Sequence, residues 1–191
     1  MFTTIRTNAA SRRAAVTSAG LVLAVTLAVA LAAITVLPSL VRAADPISVE
    51  LLTSRAQFTD KVDAQIRFSL DGGPTTVLNM PDASRTLVAR FTVQPGAQFP
   101  WHTHPGPVIV NIVQGELVYV QASDCVERGY PAGTVFVDPG RGNVHSAFNP
   151  SDSVPTIVVA TFLDFPADGP LTIADANQAH CAMRGGAHAG H

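Results

Sequence analysis

The sequence has little charge, few cysteines and almost no lysine. Charged residues make up 14% and hydrophobic residues 47% of the 191 residues, which excludes disordered and collagen-like chains. Two cysteines are too few for a small scaffold held together by disulfides. Lys61 is the only lysine, and we predict no nucleic-acid partner, because phosphate binding needs clustered Lys and Arg.

Acidic residues are also absent from the first 44 residues, whose charged side chains are four arginines. An uncharged apolar run covers residues 14–37, and Val41-Arg42-Ala43 has the small or aliphatic residues that a signal peptidase reads. This order predicts a signal peptide over residues 1–43. Because the run is long enough to cross a bilayer, an uncleaved membrane anchor is the alternative, and it is the only membrane contact predicted.

Either form of this leader places the rest of the chain outside the cytoplasm, as a secreted, periplasmic or cell-surface protein. Ser11-Arg12-Arg13 is similar to the start of a twin-arginine signal, but two adjacent arginines are equally typical of an ordinary signal peptide. The export route stays open. Without the four leading arginines the chain has 8 basic and 14 acidic residues, a net charge of −6.

The remainder of the chain is a series of short strand-like segments. From Ser48 onward the apolar segments are short, rich in β-branched residues and bounded by Pro, Gly, Asn and Asp. The clearest segments are 86–93, 108–113, 117–120, 134–137 and 156–163. Their close spacing favours an all-β sandwich or small barrel over alternating β–α units. Gln114-Gly115-Glu116 predicts a tight hairpin between two of them.

Three histidines are the candidate chemical site. His102 and His104 are two residues apart, and in an extended segment such side chains point to the same face. His145 lies next to another strand-like stretch, and a barrel can bring it opposite the first pair. Three neutral imidazoles on one face of a divalent metal leave positions open for water, oxygen or substrate, as a catalytic site requires.

The residues around these histidines resemble the two motifs of the cupin superfamily. The first motif is Gly, five residues, His-x-His, three or four residues, Glu, six residues, Gly, and it is matched by Gly96, His102, His104 and Gly115. The second motif is matched, with one extra residue after the proline, by Gly133, Pro139, Gly142, His145 and Asn149. Together the two motifs cover residues 96–149.

This resemblance implies a double-stranded β-helix, or jelly-roll, barrel with a metal in its bowl. It predicts flanking strands over 44–85, a barrel core over 86–165 and a C-terminal segment with a flexible tail over 166–191. It carries over His102, His104 and His145 as ligands of one divalent transition metal, either Fe, Mn, Ni, Zn or Cu. It also implies a homodimer, since such barrels often pair through their sheets.

The fourth ligand of the family is missing. Val108 occupies the position of the motif's Glu, so the site has three histidines unless another carboxylate reaches it. Such a site keeps the full charge of the metal and favours an anionic small-molecule ligand. Trp101, Tyr119 and Phe136 are candidates to line the pocket, as are Val108 and Asn149, and packing or turn-capping roles are the alternatives for all five.

Cys125 and Cys181 predict one disulfide, because an exported chain meets an oxidising compartment. A free thiol near the metal is the alternative. His180, His188 and His191 lie in the predicted tail and would bind a metal only loosely.

Two classes of function follow from these residues. One is a metal-dependent oxidoreductase, dioxygenase-like, acting on a small organic substrate with the three histidines as ligands. The other is a non-catalytic module that binds a metal or small molecule. No general base is evident between Gly96 and Gln114, so proton transfers fall to metal-bound water, to Tyr119 or to the substrate.

Overall fold

The computed structural model describes residues 45–181, and their regular secondary structure is β-strand except for one short 3-10 helix, Leu70–Gly72. The predicted signal peptide or anchor over residues 1–43 and the last ten residues lie outside the described part. Among residues 45–181, no helix has the length and apolar character needed to cross a membrane. The strands are β1 (Ile47–Leu51), β2 (Ala56–Gln57), β3 (Ala64–Ser69), β4 (Thr75–Met80), β5 (Arg85–Val93), β6 (His102–Thr103), β7 (Val108–Gln114), β8 (Glu116–Gln121), β9 (Glu127–Pro131), β10 (Val135–Asp138), β11 (His145–Phe148), β12 (Thr156–Leu163) and β13 (Ile173–Ala174).

Two antiparallel sheets form the barrel. The first has the order β1-β5-β12-β7-β10, with β2 also paired to β5, and the second has the order β13-β6-β11-β8-β9. The strands β3 and β4 pair with each other as a separate two-stranded sheet. This architecture confirms the predicted all-β jelly-roll fold, and each of the five predicted segments coincides with a strand of these two sheets.

Alternating burial explains why these segments form strands around one interior. Along β12 every second residue is buried, beginning with Thr156 and ending with Phe162. A strand sends successive side chains to opposite faces, so this pattern aims Val158, Ala160 and Phe162 at the interior. Inward residues of β5, β7, β8, β10 and β11, together with Phe165, complete the main core cluster.

The strand β8 is buried on both faces. Leu117 and Tyr119 belong to the core cluster inside the barrel, whereas Val118 and Val120 pack outside it with Trp101 and Phe148. The sheet that carries β8 therefore separates an inner cluster from an outer one.

The hairpin prediction at Gly115 is wrong, because β7 and β8 belong to different sheets. Gly115 has a φ of 73°, and a Cβ there would lie 2.9 Å from Oγ1 of Thr156 and 3.0 Å from the carbonyl oxygen of Pro155. The residue is therefore a glycine because the chain turns from one sheet to the other while packed closely against β12.

The segment 171–181, called here the C-terminal strap, is attached to the second sheet. The strand β13 pairs with β6, and the backbone N–H of Asp175 donates to the carbonyl oxygen of Trp101 at 2.9 Å. Cys181 forms a disulfide with Cys125, which confirms the predicted pairing. These contacts hold the C-terminal strap to the barrel.

Candidate metal centre

The three histidines lie on neighbouring strands and converge inside the barrel. His102 begins β6, His104 follows that strand, and His145 begins β11, where it pairs directly with His102. Their exposed fractions are 6%, 8% and 4%. One ring nitrogen from each histidine lies within 4.8 Å of the others, so this group could hold a metal ion.

Hydrogen bonds to the backbone orient all three rings in the same way. Each Nδ1 faces a carbonyl oxygen: that of Pro100 at 2.6 Å for His102, that of Leu171 at 2.8 Å for His104, and that of Asn143 at 3.1 Å for His145. Because a carbonyl oxygen only accepts hydrogen bonds, each Nδ1 carries the proton. Each neutral ring then presents the lone pair of Nε2, as in metal-binding histidines.

Burial keeps these imidazoles neutral. Removal from solvent, and secondly repulsion between neighbouring imidazoles, lower the pKa of His102 and of His145 to about 3. Burial also lowers the pKa of His104, although the nearby carboxylate of Asp138 opposes this shift. Neutral imidazole is the form that binds metals, so the rings are ready to act as ligands near neutral pH.

A cavity of about 70 Å³ adjoins the three histidines. Aliphatic and aromatic side chains dominate its lining, which includes three of the predicted pocket residues, Val108, Tyr119 and Phe136. The remaining lining residues besides the histidines are Phe91, Phe99, Val110, Leu117, Asp138, Ala147, Val158, Ala160, Phe162 and Thr172. Five aromatic rings therefore surround the space in front of the candidate metal ligands.

Trp101 and Asn149 do not line this cavity, which corrects the pocket prediction for both. Trp101 precedes His102, so its side chain points to the opposite face and packs in the outer cluster. Asn149 donates from Nδ2 to the carbonyl oxygens of Val93 at 3.0 Å and Val154 at 2.8 Å, and its Oδ1 accepts from the N–H of Ser151 at 2.9 Å. Asn149 therefore holds a loop together.

Asp138 is the site residue that the sequence motifs missed. It ends β10, is 1% exposed, and lies with Oδ2 at 3.8 Å from Nε2 of His104. Its Oδ1 accepts hydrogen bonds from the Tyr119 hydroxyl at 3.1 Å and from Nδ2 of Asn143 at 3.0 Å. Alternation along β10 is the signal that finds it, since Phe136 and Asp138 share the inward face.

The polar groups beside the histidines form a small buried network. Burial and the Asp138 carboxylate raise the pKa of Tyr119 well above its ordinary value, so its hydroxyl stays protonated. Burial raises the pKa of Asp138 as well, while His104, the hydrogen bonds from Asn143 and Tyr119 and the nearby N–H of Gly140 oppose the shift. Because the imidazoles are neutral, their contacts with Asp138 are dipolar contacts rather than ion pairs.

Comparisons with solved structures give remote matches. Polyketide cyclase RemF from Streptomyces resistomycificus is 15% identical, with 50% of this chain and 63% of RemF covered and a TM-score of 0.41. An RmlC-like cupin from Shewanella frigidimarina NCIMB 400 is 24% identical, with 41% and 66% covered and a TM-score of 0.36. This chain thus spans less than two thirds of either protein. KdgF from Halomonas sp. is 14% identical, with 65% and 86% covered and a TM-score of 0.43.

No curated protein matches the chain. The family model described as Cupin domain matches residues 89–162. This range contains β5 to β12, and therefore the three histidines and Asp138. The chain therefore contains a cupin domain, over residues 89–162.

Proposed function

We propose that this protein is an exported metal-binding cupin in which His102, His104 and His145 hold one divalent transition metal for work on a small organic molecule. One observation carries the proposal. Each of the three imidazoles donates its Nδ1–H to a backbone carbonyl, which leaves the lone pair of Nε2 free, and one ring nitrogen of each lies within 4.8 Å of the others beside an apolar cavity. A purely structural histidine needs no such shared orientation, whereas a metal ligand does.

The donor set fits a first-row transition metal. Imidazole nitrogens suit Zn, Cu, Fe and Ni, and the depressed pKa values of His102 and His145 leave little proton competition at neutral pH. A metal held there supplies Lewis-acid chemistry, or oxidative chemistry if it is redox-active. The protein contributes fixed ligands through the carbonyls of Pro100, Leu171 and Asn143.

The residues that line the cavity favour binding of a flat, apolar organic ligand. Phe91 and Phe99 form an edge-to-face pair with ring centroids 5.8 Å apart, and Phe136 and Phe162 also line the cavity. Aromatic walls bind rings by stacking and exclude water from the metal. An anionic group on such a ligand would face the metal, whose charge three neutral imidazoles leave uncompensated.

Export is supported by covalent chemistry as well as by the leader. The Cys125–Cys181 disulfide is typical of oxidising compartments outside the cytoplasm. The basic and apolar segment over residues 1–43 has the order of a signal peptide or anchor. We therefore propose a secreted, periplasmic or cell-surface location.

Metal analysis of the purified full chain tests the proposal. His188 and His191 are changed to Ala throughout, so that the histidines of the last ten residues do not contribute metal. We expect about one equivalent of a transition metal per chain, and loss of that equivalent in a His102→Ala, His104→Ala variant whose circular dichroism is unchanged. Equal metal content in both proteins would overturn the proposal. Sedimentation of the same samples tests the proposed homodimer.

A dioxygenase-like reaction is our first candidate for the role of the metal, and a non-catalytic binding module is the second. The second is favoured by the buried network, because the Tyr119 hydroxyl and Oδ1 of Asp138 bind each other rather than facing the cavity unpaired. Small aromatic acids incubated with the iron-loaded protein distinguish the two. Oxygen consumption that His104→Ala abolishes indicates an enzyme, whereas a raised melting temperature without product indicates a binding module.

A further inference from the structure

We propose that Asp138 is the carboxylate ligand of this centre, so that an aspartate on β10 takes the place of the glutamate that the family motif puts on β7. This inference rests on the proposed metal site and names its fourth ligand. The centre would then consist of His102, His104, His145 and Asp138, with the carboxylate offsetting part of the metal's charge.

The strand pairing places the Asp138 carboxylate one strand away from the position of the motif's glutamate. Val108 stands at the motif's glutamate position, and Asp138 is its direct partner in the antiparallel pairing of β10 with β7. Directly opposed residues project to the same face with Cβ atoms about 5 Å apart. Both side chains line the cavity in front of the histidines. A carboxylate at Asp138 therefore enters the same space that a glutamate at Val108 would reach.

The two oxygens of Asp138 have different surroundings. Oδ1 accepts from the Tyr119 hydroxyl and from Nδ2 of Asn143, which fixes the plane of the group. Oδ2 is buried and has no hydrogen-bond partner among the described residues. An unpaired buried oxygen of a charged group is costly, and a bound cation is a partner that removes this cost.

The unpaired oxygen Oδ2 of Asp138 lies close to a candidate metal ligand. Oδ2 lies 3.8 Å from Nε2 of His104. This separation is shorter than the 4.8 Å within which the three histidine nitrogens lie of one another. One ion held by the histidines can therefore also bind Oδ2 of Asp138.

The turn after β10 holds Asp138 beside His104. The backbone N–H of Arg141 donates to the carbonyl oxygen of His104 at 2.7 Å. Gly140 has a φ of 58°, and a Cβ there would lie 2.1 Å from the carbonyl oxygen of Gly106. The close approach that Gly140 allows brings this turn against the segment that follows the His102-x-His104 pair.

Orienting His145 does not account for the position of Asp138. Nδ1 of His145 lies 3.1 Å from the carbonyl oxygen of Asn143, with which it forms a hydrogen bond. Oδ1 of Asp138 is farther from the same nitrogen, at 3.5 Å. The backbone carbonyl therefore already serves as the partner of this ring, and Oδ2 is left for another role.

Zn²⁺ affinity and the absorption spectrum of bound Co²⁺ test the assignment. All proteins are full chains with His188 and His191 changed to Ala. We expect Asp138→Asn to weaken Zn²⁺ binding by about 100-fold or more, beyond the usual effect of groups that only orient ligands, and to alter the Co²⁺ spectrum. Adding Val108→Glu to Asp138→Asn should recover most of the affinity, because a carboxylate returns from the opposed strand position.

Tyr119→Phe is the matched control, because it removes a hydrogen bond to Oδ1 and leaves the carboxylate. It should weaken Zn²⁺ binding by about tenfold, the low end of the range for groups that only orient ligands, and keep the Co²⁺ spectrum. Wild-type affinity and an unchanged spectrum in Asp138→Asn would overturn the inference while leaving the three-histidine site intact. Absence of metal binding in the parent chain would instead overturn the proposed function.

A measurement on the parent chain decides the matter if Asp138→Asn does not fold. The infrared difference spectrum of Zn²⁺ binding is recorded with and without ¹³C-labelled aspartate. A shifted carboxylate band that moves with the label is the expected result. A spectrum without any aspartate band would contradict the assignment.

Discussion

In the sheet formed by β13, β6, β11, β8 and β9, the central strands β11 and β8 are buried on both faces, and different side chains cover each face. The inner face carries the histidines and Tyr119 at the cavity, within hydrogen-bonding distance of backbone carbonyls and Asp138. The outer face carries Trp101, Val118, Val120 and Phe148, which pack against one another and against the C-terminal strap. The inner face places polar groups beside a largely apolar cavity, and the outer face is apolar and packed.

The candidate metal ligands therefore lie on one face of the sheet, and most contacts that hold the strap lie on the other. Inside, backbone carbonyls satisfy every Nδ1 of the histidine triad, while one carboxylate oxygen of Asp138 stays unpaired. Outside, the strap is held by a disulfide and by the hydrogen bonds between Gln178 and Trp101. The strap also reaches the inner face, because the Leu171 carbonyl accepts from His104 and Thr172 lines the cavity.

Removing the disulfide that holds the strap on the outer face should give the largest loss of stability. Cys125→Ser removes a disulfide that closes a loop with a sequence separation of 56. The chain-entropy relation gives a loss of about 4 kcal/mol for a loop of that length. We expect a lower melting temperature under oxidising conditions with the metal stoichiometry retained. An unchanged melting temperature would show that the disulfide does not stabilise the protein in solution.

Acidification should lower the stability of the metal-free protein through the buried histidines of the inner face. The pKa values of His102 and His145 are lowered to about 3 in the folded state, against about 6.5 when unfolded. The unfolded chain therefore binds more protons between these values, and stability falls as the pH drops from 6.5 towards 3. From pH 7.0 to 5.5 the two residues together should cost about 2 to 3 kcal/mol.

Two neighbours modify this pH dependence. The lowered pKa of His104 adds to the loss, whereas the raised pKa of Asp138 opposes it. Chemical denaturation at a series of pH values measures the net effect. A variant with both His102→Gln and His145→Gln should show a flatter profile, and a parent protein equally stable at pH 5.5 and 7.0 would contradict the account.

Removing the Tyr119 hydroxyl on the inner face should cause the smallest loss of stability. Tyr119→Phe leaves Oδ1 of Asp138 with Asn143 as its side-chain donor, and removes an acceptor from Asn143 and Gln121. We expect a loss of about 1 to 2 kcal/mol, the usual cost of a buried hydrogen bond to a charged group. Denaturant unfolding measures this loss. A more stable variant would show that the hydroxyl is poorly accommodated.

The strands and the histidine cluster could be predicted because they depend on local patterns. Alternation in β12 and the His102-x-His104 spacing each set a side-chain direction within one strand. Motif spacing then linked His145 to them. The connection at Gly115 was not predictable in this way, because a short turn with Gly fits both a hairpin and a change of sheet.

The role of Asp138 depends on contacts between strands that the sequence does not display. The segment Asp138-Pro139-Gly140 has turn chemistry, and only the pairing of Asp138 with Val108 places the acid beside the missing glutamate position. For Trp101, in contrast, nearness in sequence wrongly indicated a place in the site. It adjoins a site residue in sequence, yet strand alternation sends its ring to the outer cluster.

The most direct test is a crystal structure of the metal-loaded full chain with data collected at the absorption edge of the bound metal. The account predicts one anomalous peak within about 2.0 to 2.2 Å of Nε2 of His102, His104 and His145. An empty triad, or metal bound only elsewhere on the chain, would contradict it.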